Sequence, residues 1–276
     1  AEKYYPELLD NLSSAKSPMM MQGAVTKTYW SEKSGIDKKN IYSVAIMPCT
    51  AKKTEITRDG EHASSSGEQD VDLVLTTREI ARLIASRGLD FTNLPDSEAD
   101  DPIGEYTGAA TIFGVTGGVM EAAIRTAYFG LTGKELADPE IKLVRGLDNV
   151  KRGEVDVDGK KIRVAIVHGM GSAKALLDKI KEDKAAGRES DLDFIEIMAC
   201  RGGCIAGGGQ PYGTDDEVRE ERTEGLYTDD EKSVKRCSHQ NPSIKKIYAD
   251  YLGEPLSEKA HHLLHTEYAQ VPVYKQ

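Results

Sequence analysis

Two cysteines stand four positions apart in the run Ala199-Cys200-Arg201-Gly202-Gly203-Cys204-Ile205-Ala206-Gly207-Gly208-Gly209-Gln210-Pro211. Thiolates are the soft donors that iron–sulfur clusters take. The five glycines of the run let the backbone approach closely and adopt positive φ, which aims amide N–H groups at anionic sulfur. Phe194-Ile195-Glu196-Ile197-Met198 just upstream reads as a buried strand, so both thiols are expected where that strand ends. A glycine-rich turn with two inert thiols uses the same residues, and spacing alone leaves both readings open. The glycines do not follow the dinucleotide fingerprint, which places them differently between a strand and a helix.

A third thiol, Cys49, lies in Met47-Pro48-Cys49-Thr50-Ala51-Lys52-Lys53-Thr54-Glu55. Lys52 would lower a thiol pKa or bond an anionic cofactor atom; a core cysteine beside a solvated lysine is the alternative. Phe113-Gly114-Val115-Thr116-Gly117-Gly118 opens a helix that carries Met120, Glu121 and Arg125. Its N-terminus would face an anion, or its glycines serve only close packing. Cys237, in Lys235-Arg236-Cys237-Ser238-His239, reads as a free thiol, with a role as substitute ligand left open. The histidines, His62, His168, His239, His261, His262 and His265, show no metal-type clustering; His261 and His265, one turn apart on a helix, read as a surface pair.

The elements that must position these groups follow from apolar spacing. Helices are expected through Leu8, Leu9 and Leu12, and after Ser17-Pro18 with Met20, Met21, Val25 and Tyr29 buried. Ile41-Tyr42-Ser43-Val44-Ala45-Ile46 reads as a buried strand, 55–70 as a polar loop, 71–75 as a strand and 77–86 as a helix. Residues 95–107 read as an acidic loop and 119–129 as a helix. Strands are expected over 141–144 and 162–167, the latter paired with 155–157 across the Asp158-Gly159 turn. A helix over 173–181 and a strand over 194–198 follow; beyond Ser243 the chain reads as mostly helical, with an extended tail from Tyr268. Alternating strands and helices imply an α/β architecture with parallel sheets.

The 276 residues, 39% hydrophobic and 30% charged, suffice for one two-lobed globule. A net charge of −10 repels phosphate backbones and anionic lipid, so nucleic acid and membrane are not expected partners. No apolar run reaches the roughly 18 residues of a spanning helix. Four cysteines in a chain this long are no disulfide scaffold; together with the lack of a signal peptide they suggest a reducing, cytoplasmic setting. The opening Ala1-Glu2-Lys3-Tyr4-Tyr5-Pro6, without an initiator Met, reads like the middle of a fold, and a fragment is expected.

Taken together, these runs resemble the H-cluster domain of iron-only (FeFe) hydrogenases. Met-Pro-Cys-Thr-Ala-Lys-Lys-x-Glu at 47–55 resembles that family's second signature, and Glu-x-Met-Ala-Cys-x-x-Gly-Cys-x-x-Gly-Gly-Gly-Gln-Pro at 196–211 its third. Phe-Gly-x-Thr-Gly-Gly-Val-Met-Glu-Ala-Ala-x-Arg at 113–125, the opening Tyr-Pro-Glu-Leu-Leu and the closing Leu-Gly-Glu-Pro-Leu-Ser-x-Lys-Ala-His are similar too. The likeness runs essentially the whole length, 1–276, as one catalytic domain of two intertwined lobes.

The resemblance implies two lobes, each a small, mostly parallel sheet flanked by helices, with the cluster in the cleft between them. It implies that Cys49, Cys200 and Cys204 hold a 4Fe–4S cubane, with Cys204 bridging to a 2Fe subcluster that carries CO, cyanide and a dithiolate. Lys52 would hydrogen-bond a cyanide nitrogen, and Met47 and Met198 would pack against the diiron unit as thioethers. Pro18, Pro48, Phe113, Gly114 and Gly203 would line the cofactor cavity, and Ser13 matches a serine of the family's proton path. The implied activity is reversible interconversion of protons and electrons with dihydrogen, served by ferredoxin or other electron-transfer modules or subunits and by maturation proteins. The family's first signature, Thr-Ser-Cys-Cys-Pro, which supplies the fourth cubane ligand and a proton-donating cysteine, is absent. This polypeptide alone is therefore expected to be inactive, with its cofactor absent or incomplete. A relative involved in cytosolic iron–sulfur assembly that binds only a cubane, or a sensory or structural domain of the same fold, are the alternatives.

Overall fold

The computed structural model describes residues 1–58 and 69–274. In chain order its main helices are α1 (Pro18–Val25), α2 (Thr77–Ser86), α3 (Gly118–Thr132), α4 (Met170–Ala185), α5 (Asp216–Lys232) and α6 (Glu258–Leu264). Its strands are β1 (Val44–Met47), β2 (Leu73–Thr76), β3 (Val150–Val157), β4 (Lys160–His168) and β5 (Phe194–Met198). They fall into two units. Unit 1 comprises Ala1–Glu105, Gly209–Pro211 and Pro242–Gln276; unit 2 comprises Tyr106–Gly208 and Tyr212–Asn241. The class is α/β, with small sheets flanked by helices.

In unit 1, β1 and β2 pair in parallel with Val44 opposite Leu73. One face of this ribbon, with Val74, Ala45 and Met47, packs on Met19, Met20, Ile56 and Val71. Ser17 and Pro18 start α1 as Pro at the first helical position favours. The helix runs on through a π-type turn, Thr26–Trp30, to a last α turn at Ser31–Ser34, which Gly35 ends at φ 70°. Its far end joins α6 and the 247–252 segment in a second cluster around Val25, Tyr29, Ile247 and Leu263. Thr76, the last residue of β2, caps α2: its side chain accepts the Glu79 N–H while the Glu79 carboxylate accepts the Thr76 N–H.

Unit 2 holds a mixed sheet in the order β3-β4-β5. β3 and β4 form the antiparallel hairpin expected across Asp158-Gly159, and β5 runs parallel to β4 with Val164 opposite Phe194. One core cluster of the unit unites Met120 and Ile124 of α3 with Val144, Val164 and Ile166; another unites Ala165, Val167 and Leu192 with Ala173 and Leu176 of α4. Between α3 and α5 lies a buried ionic network. All five N–H donors of Arg125 are used, on both carboxylate oxygens of Asp230, on Glu121 and on the carbonyls of Pro139 and Arg236, each at 2.8–2.9 Å. Arg145 binds Glu121 at 2.8 Å and stacks 3.9 Å over the Tyr227 ring, while Arg236 binds Asp230 at 2.7 Å. A Cβ on Gly108 would lie 2.2 Å from the Asp230 carboxylate, so only glycine fits there.

Several expectations are corrected. The first turn is a 3₁₀ helix, Pro6–Asn11, with Leu12 beyond it and exposed. β1 begins only at Val44, and it is not buried: Val44 and Ile46 are 46% and 55% exposed, because a two-stranded ribbon packs on one face. Met21 is half-buried and Met19 takes its place in the core. The 141–144 run is a 3₁₀ turn, Lys142–Val144; a short apolar run is buried equally well as a turn or a strand, and here β3 already pairs with β4. The expected loop at 55–70 is a helical turn at its start, Lys52–Glu55, and its positions 59–68 lie outside the described residues. Nothing in the sequence pattern announced α5, whose charges surround the helix and whose buried residues are only Tyr227 and Asp230.

Two outcomes test these contacts. Hydrogen bonds from Lys53 and Thr76 hold the Glu79 carboxyl at about 2, below its ordinary 4.5. A depressed folded-state pKa adds stability that is complete above the unfolded value and is lost as pH falls through the folded one. The stability gap between the native chain and Glu79→Gln, read from urea midpoints, is therefore expected to shrink as pH falls from 4.5 to about 2. Asp230→Ala leaves Arg125 buried with half its charge unpaired, and denaturant unfolding is expected to show a loss of about 3–5 kcal/mol.

Candidate functional site

β5 delivers its end to the cysteine loop, and the loop is held from three sides within unit 2. The Gly202 N–H donates to His168 Nδ1 at 2.9 Å, the Thr116 N–H donates to the Gly202 carbonyl at 3.1 Å, and the Gly203 N–H closes a turn onto the Cys200 carbonyl at 3.1 Å. Gly202 and Gly203 sit at φ 83° and 92°. A Cβ on Gly203 would lie 2.7 Å from the Thr116 nitrogen and 3.0 Å from the Gly114 carbonyl oxygen, so a side chain there would displace the backbone. Beyond it the Gly207 N–H donates to the Cys204 carbonyl at 3.0 Å. Cys200 and Cys204 are half-buried, and none of the four cysteines is in a disulfide.

His168, at the end of β4, is 1% exposed. Because Nδ1 accepts from Gly202, the proton belongs on Nε2, which faces the Asn149 side-chain oxygen Oδ1 at 3.2 Å. Burial, reinforced by Arg201, pushes its pKa down, so the ring is neutral. The same Asn149 oxygen accepts from Arg201 at 2.7 Å, and Asp216, on the first turn of α5, grips Arg201 through two bonds of 2.7 and 3.1 Å.

Glu196 performs the remaining tie. Its buried carboxylate accepts the N–H groups of Gly117 at 2.6 Å and Met120 at 2.7 Å, at the start of α3. Burial pushes this carboxyl upward against those backbone donors. A single side chain thus joins β5 to the 113–118 run, which itself touches Gly203. Neither His168 nor Glu196 was singled out by sequence reasoning. A lone charge inside the apolar Phe-Ile-Glu-Ile-Met strand was the available signal for Glu196; His168 had none.

In unit 1, Met47 ends β1 and packs, half-buried, against the Met19–Met20 cluster. Pro48 and Cys49 follow, both half-buried. The Pro48 carbonyl accepts the Gly209 N–H at 2.8 Å, and the Gly209 carbonyl accepts the Arg78 N–H at 3.1 Å. A Cβ on Gly209 would lie 2.8 Å from Thr76 and 3.0 Å from the Pro48 oxygen. The Lys52 ammonium is paired with Glu55 at 2.5 Å. Ser13 and Pro18 are exposed in the same unit. The structure thus gathers Phe113, Gly114, Met198, Cys200, Gly203 and Cys204 in one unit and Met47, Pro48, Cys49 and Lys52 in the other.

The histidine expectations need amendment. His239 meets Glu135 and Cys237, with one donor atom of each within 4.8 Å of the others. His261 and His265 stack at 4.6 Å, and His265 is half-buried against the Ser14 hydroxyl at 2.8 Å. His62 lies outside the described residues. His168→Leu removes the acceptor of the Gly202 N–H. Unfolding is expected to show a loss of about 1–3 kcal/mol, and maleimide labelling of Cys200 and Cys204 to accelerate; unchanged labelling would refute the clamp.

Residues 1–208 match the family described as iron only hydrogenase large subunit, C-terminal domain, and residues 216–271 match iron hydrogenase small subunit. The NADP-reducing hydrogenase subunit HndD of Solidesulfovibrio fructosivorans is 47% identical over 97% of this chain and 44% of its own length. A periplasmic [Fe] hydrogenase large subunit of Nitratidesulfovibrio vulgaris is 52% identical over 76% of this chain and 48% of its own. The chain thus spans less than half the length of these curated relatives. Protein NAR1 of Arabidopsis thaliana is more distant, 32% identical over 96% of this chain and 57% of its own length. Among the described residues no helix is long and apolar enough to cross a membrane. The structure of apo [FeFe]-hydrogenase HydA1 from Chlamydomonas reinhardtii aligns with a TM-score of 0.82 at 40% identity, covering 99% of this chain and 73% of that one. With the family match over 1–208 and a shared fold at that identity, the chain belongs to the family formed by the C-terminal domain of the iron-only hydrogenase large subunit.

Proposed function

We propose that the chain is the catalytic domain of an iron-only hydrogenase, in which Cys49, Cys200 and Cys204 would hold a 4Fe–4S cluster and Cys204 would also serve a 2Fe subcluster that carries CO, cyanide and a dithiolate. When bound, this group supplies the redox chemistry that interconverts protons and electrons with dihydrogen. One observation carries the reading. Gly209, whose N–H binds the carbonyl of Pro48 next to Cys49, lies only five residues along the chain from Cys204. Five residues of chain therefore separate the second cysteine of the loop from a hydrogen bond made beside Cys49.

The donor set suits the group: three half-buried cysteines outside any disulfide, two of them on a loop whose glycines at positive φ let it pack directly on the backbone of residues 114–116. His168, Thr116 and Arg201 hold that loop still, so ligand positions are set before iron arrives. Lys52 lies three residues along the chain from Cys49; Glu55 takes one of its three donors and leaves others for an anionic ligand atom. Met47 and Met198 offer polarisable thioethers, and Pro18, Pro48, Phe113, Gly114 and Gly203 shape the surrounding wall. Ser13 passes protons through its exposed hydroxyl. Electrons come from a ferredoxin or another electron-transfer module or subunit, and maturation proteins load the diiron part.

A second reading, a domain that binds only a cubane, draws support from the likeness to NAR1 and from the Lys52 ammonium being already paired with Glu55. Anaerobic reconstitution with iron and sulfide is expected to give the electron paramagnetic resonance signal of a reduced 4Fe–4S cluster in the chain and not in Cys204→Ser. An equal signal in both would overturn the ligand assignment. After maturation, infrared bands of bound CO and cyanide select the hydrogenase reading, and a cubane without them selects the second. Lys52→Ala is expected to abolish the bands while leaving the cubane signal. Dihydrogen evolution with a reduced viologen is read on the full-length protein.

A further inference from the structure

Cys237 has no part in the proposed cluster, and its surroundings are built. Its thiol is in a residue only 4% exposed, and the Gln240 N–H donates to it. Two residues on, His239 is immobilised: its ring stacks on Phe129 at 4.2 Å and 7°, and Nδ1 faces the Thr126 hydroxyl at 3.4 Å. That leaves Nε2 directed at the Glu135 carboxylate, 3.1 Å from both oxygens. The Gln240 side chain donates to the same carboxylate at 3.1 Å and accepts the N–H groups of Arg236 and Cys237, so one amide braces both sides of the cluster. The sulfur, the imidazole nitrogen and a carboxylate oxygen all lie within 4.8 Å of one another.

We propose that Cys237, His239 and Glu135 form a binding site for a divalent ion of zinc's class, separate from the cluster cysteines. Thiolate, imidazole and carboxylate are the three donor types that zinc takes, and three protein ligands with an open fourth position for water complete a tetrahedron. Charge closes as well: a thiolate and a carboxylate neutralise one dication in a place where an unpaired ion would be costly. The outer partners are those that tune such sites, a hydroxyl at the far imidazole nitrogen and an amide donor at the sulfur. A nucleophilic cysteine is the competing use of these residue types, but Cys237 is too enclosed to meet a substrate. Ion entry is from the side of Glu135, whose side chain is 52% exposed. The bound ion would clip the loop after α3 to the segment before Pro242.

The test uses cobalt(II) as the spectroscopic probe on the chain carrying Cys49→Ser, Cys200→Ser and Cys204→Ser, which leaves Cys237 as its sole cysteine. One equivalent is expected to bind with a sulfur-to-cobalt charge-transfer band and the intense visible bands of tetrahedral cobalt. Both disappear when Cys237→Ser is added, and zinc displaces the cobalt. Absence of the sulfur band, or its persistence after Cys237→Ser, overturns the proposal. Glu135→Gln, a surface change that does not threaten folding, provides the second measurement in the otherwise unaltered chain. Zinc added beyond the equivalents taken up by the cluster cysteines is expected to raise the thermal midpoint of the parent and to need about tenfold more metal in Glu135→Gln. Identical zinc dependence in the two chains overturns it as well.

Discussion

A carboxylate buried against the first turn of α3 is the joint on which unit 2 depends. Glu196 sits on β5, two residues before Met198, and by accepting the Gly117 and Met120 amides it fixes where the 113–118 run lies. That run in turn presents the Thr116 nitrogen and the Gly114 oxygen so closely to Gly203 that no side chain fits between them. The positions of the two thiols are therefore consequences of one charge placed where helix amides want an anion. Its pKa, displaced upward by burial, records what the arrangement costs.

At the centre of the same unit one guanidinium is fully satisfied. Arg125 has a partner for every donor, Glu121 and Asp230 each serve two guanidiniums, and Tyr227 accepts Arg145 on its ring face. Charges buried singly would be prohibitive; buried as mutual partners, they prescribe one relation between α3 and α5. Gly108 belongs to this set although it carries no charge, since Asp230 occupies the space a Cβ would need.

Much of the fold was legible because its carriers are local. The Asp158-Gly159 hairpin, the 77–86 helix and the 194–198 strand are written in periodicity and turn chemistry, which act over a few residues. The cysteine loop was legible as a motif, and its glycines as a request for close approach. What was hidden depends on partners far away in sequence. α5 is charged all round and owes its place to Arg125, more than a hundred residues upstream of Asp230, and His168 is defined by a bond to Gly202. The exposed Val44 and Ile46 went unanticipated because a β-branched run announces a strand without saying how many faces will be covered. His239 escaped for a like reason: its partner Glu135 is 104 positions away.

Unit 1 is stitched from separate stretches of polypeptide: its β-bridge pairs Ala15 with His265, and Val271 donates to the Glu2 carbonyl. A ribosome delivers the first of these partners some two hundred and fifty residues ahead of the second. The half containing Cys49 therefore cannot close until the last of these stretches has emerged, by which time the whole of unit 2 is already out.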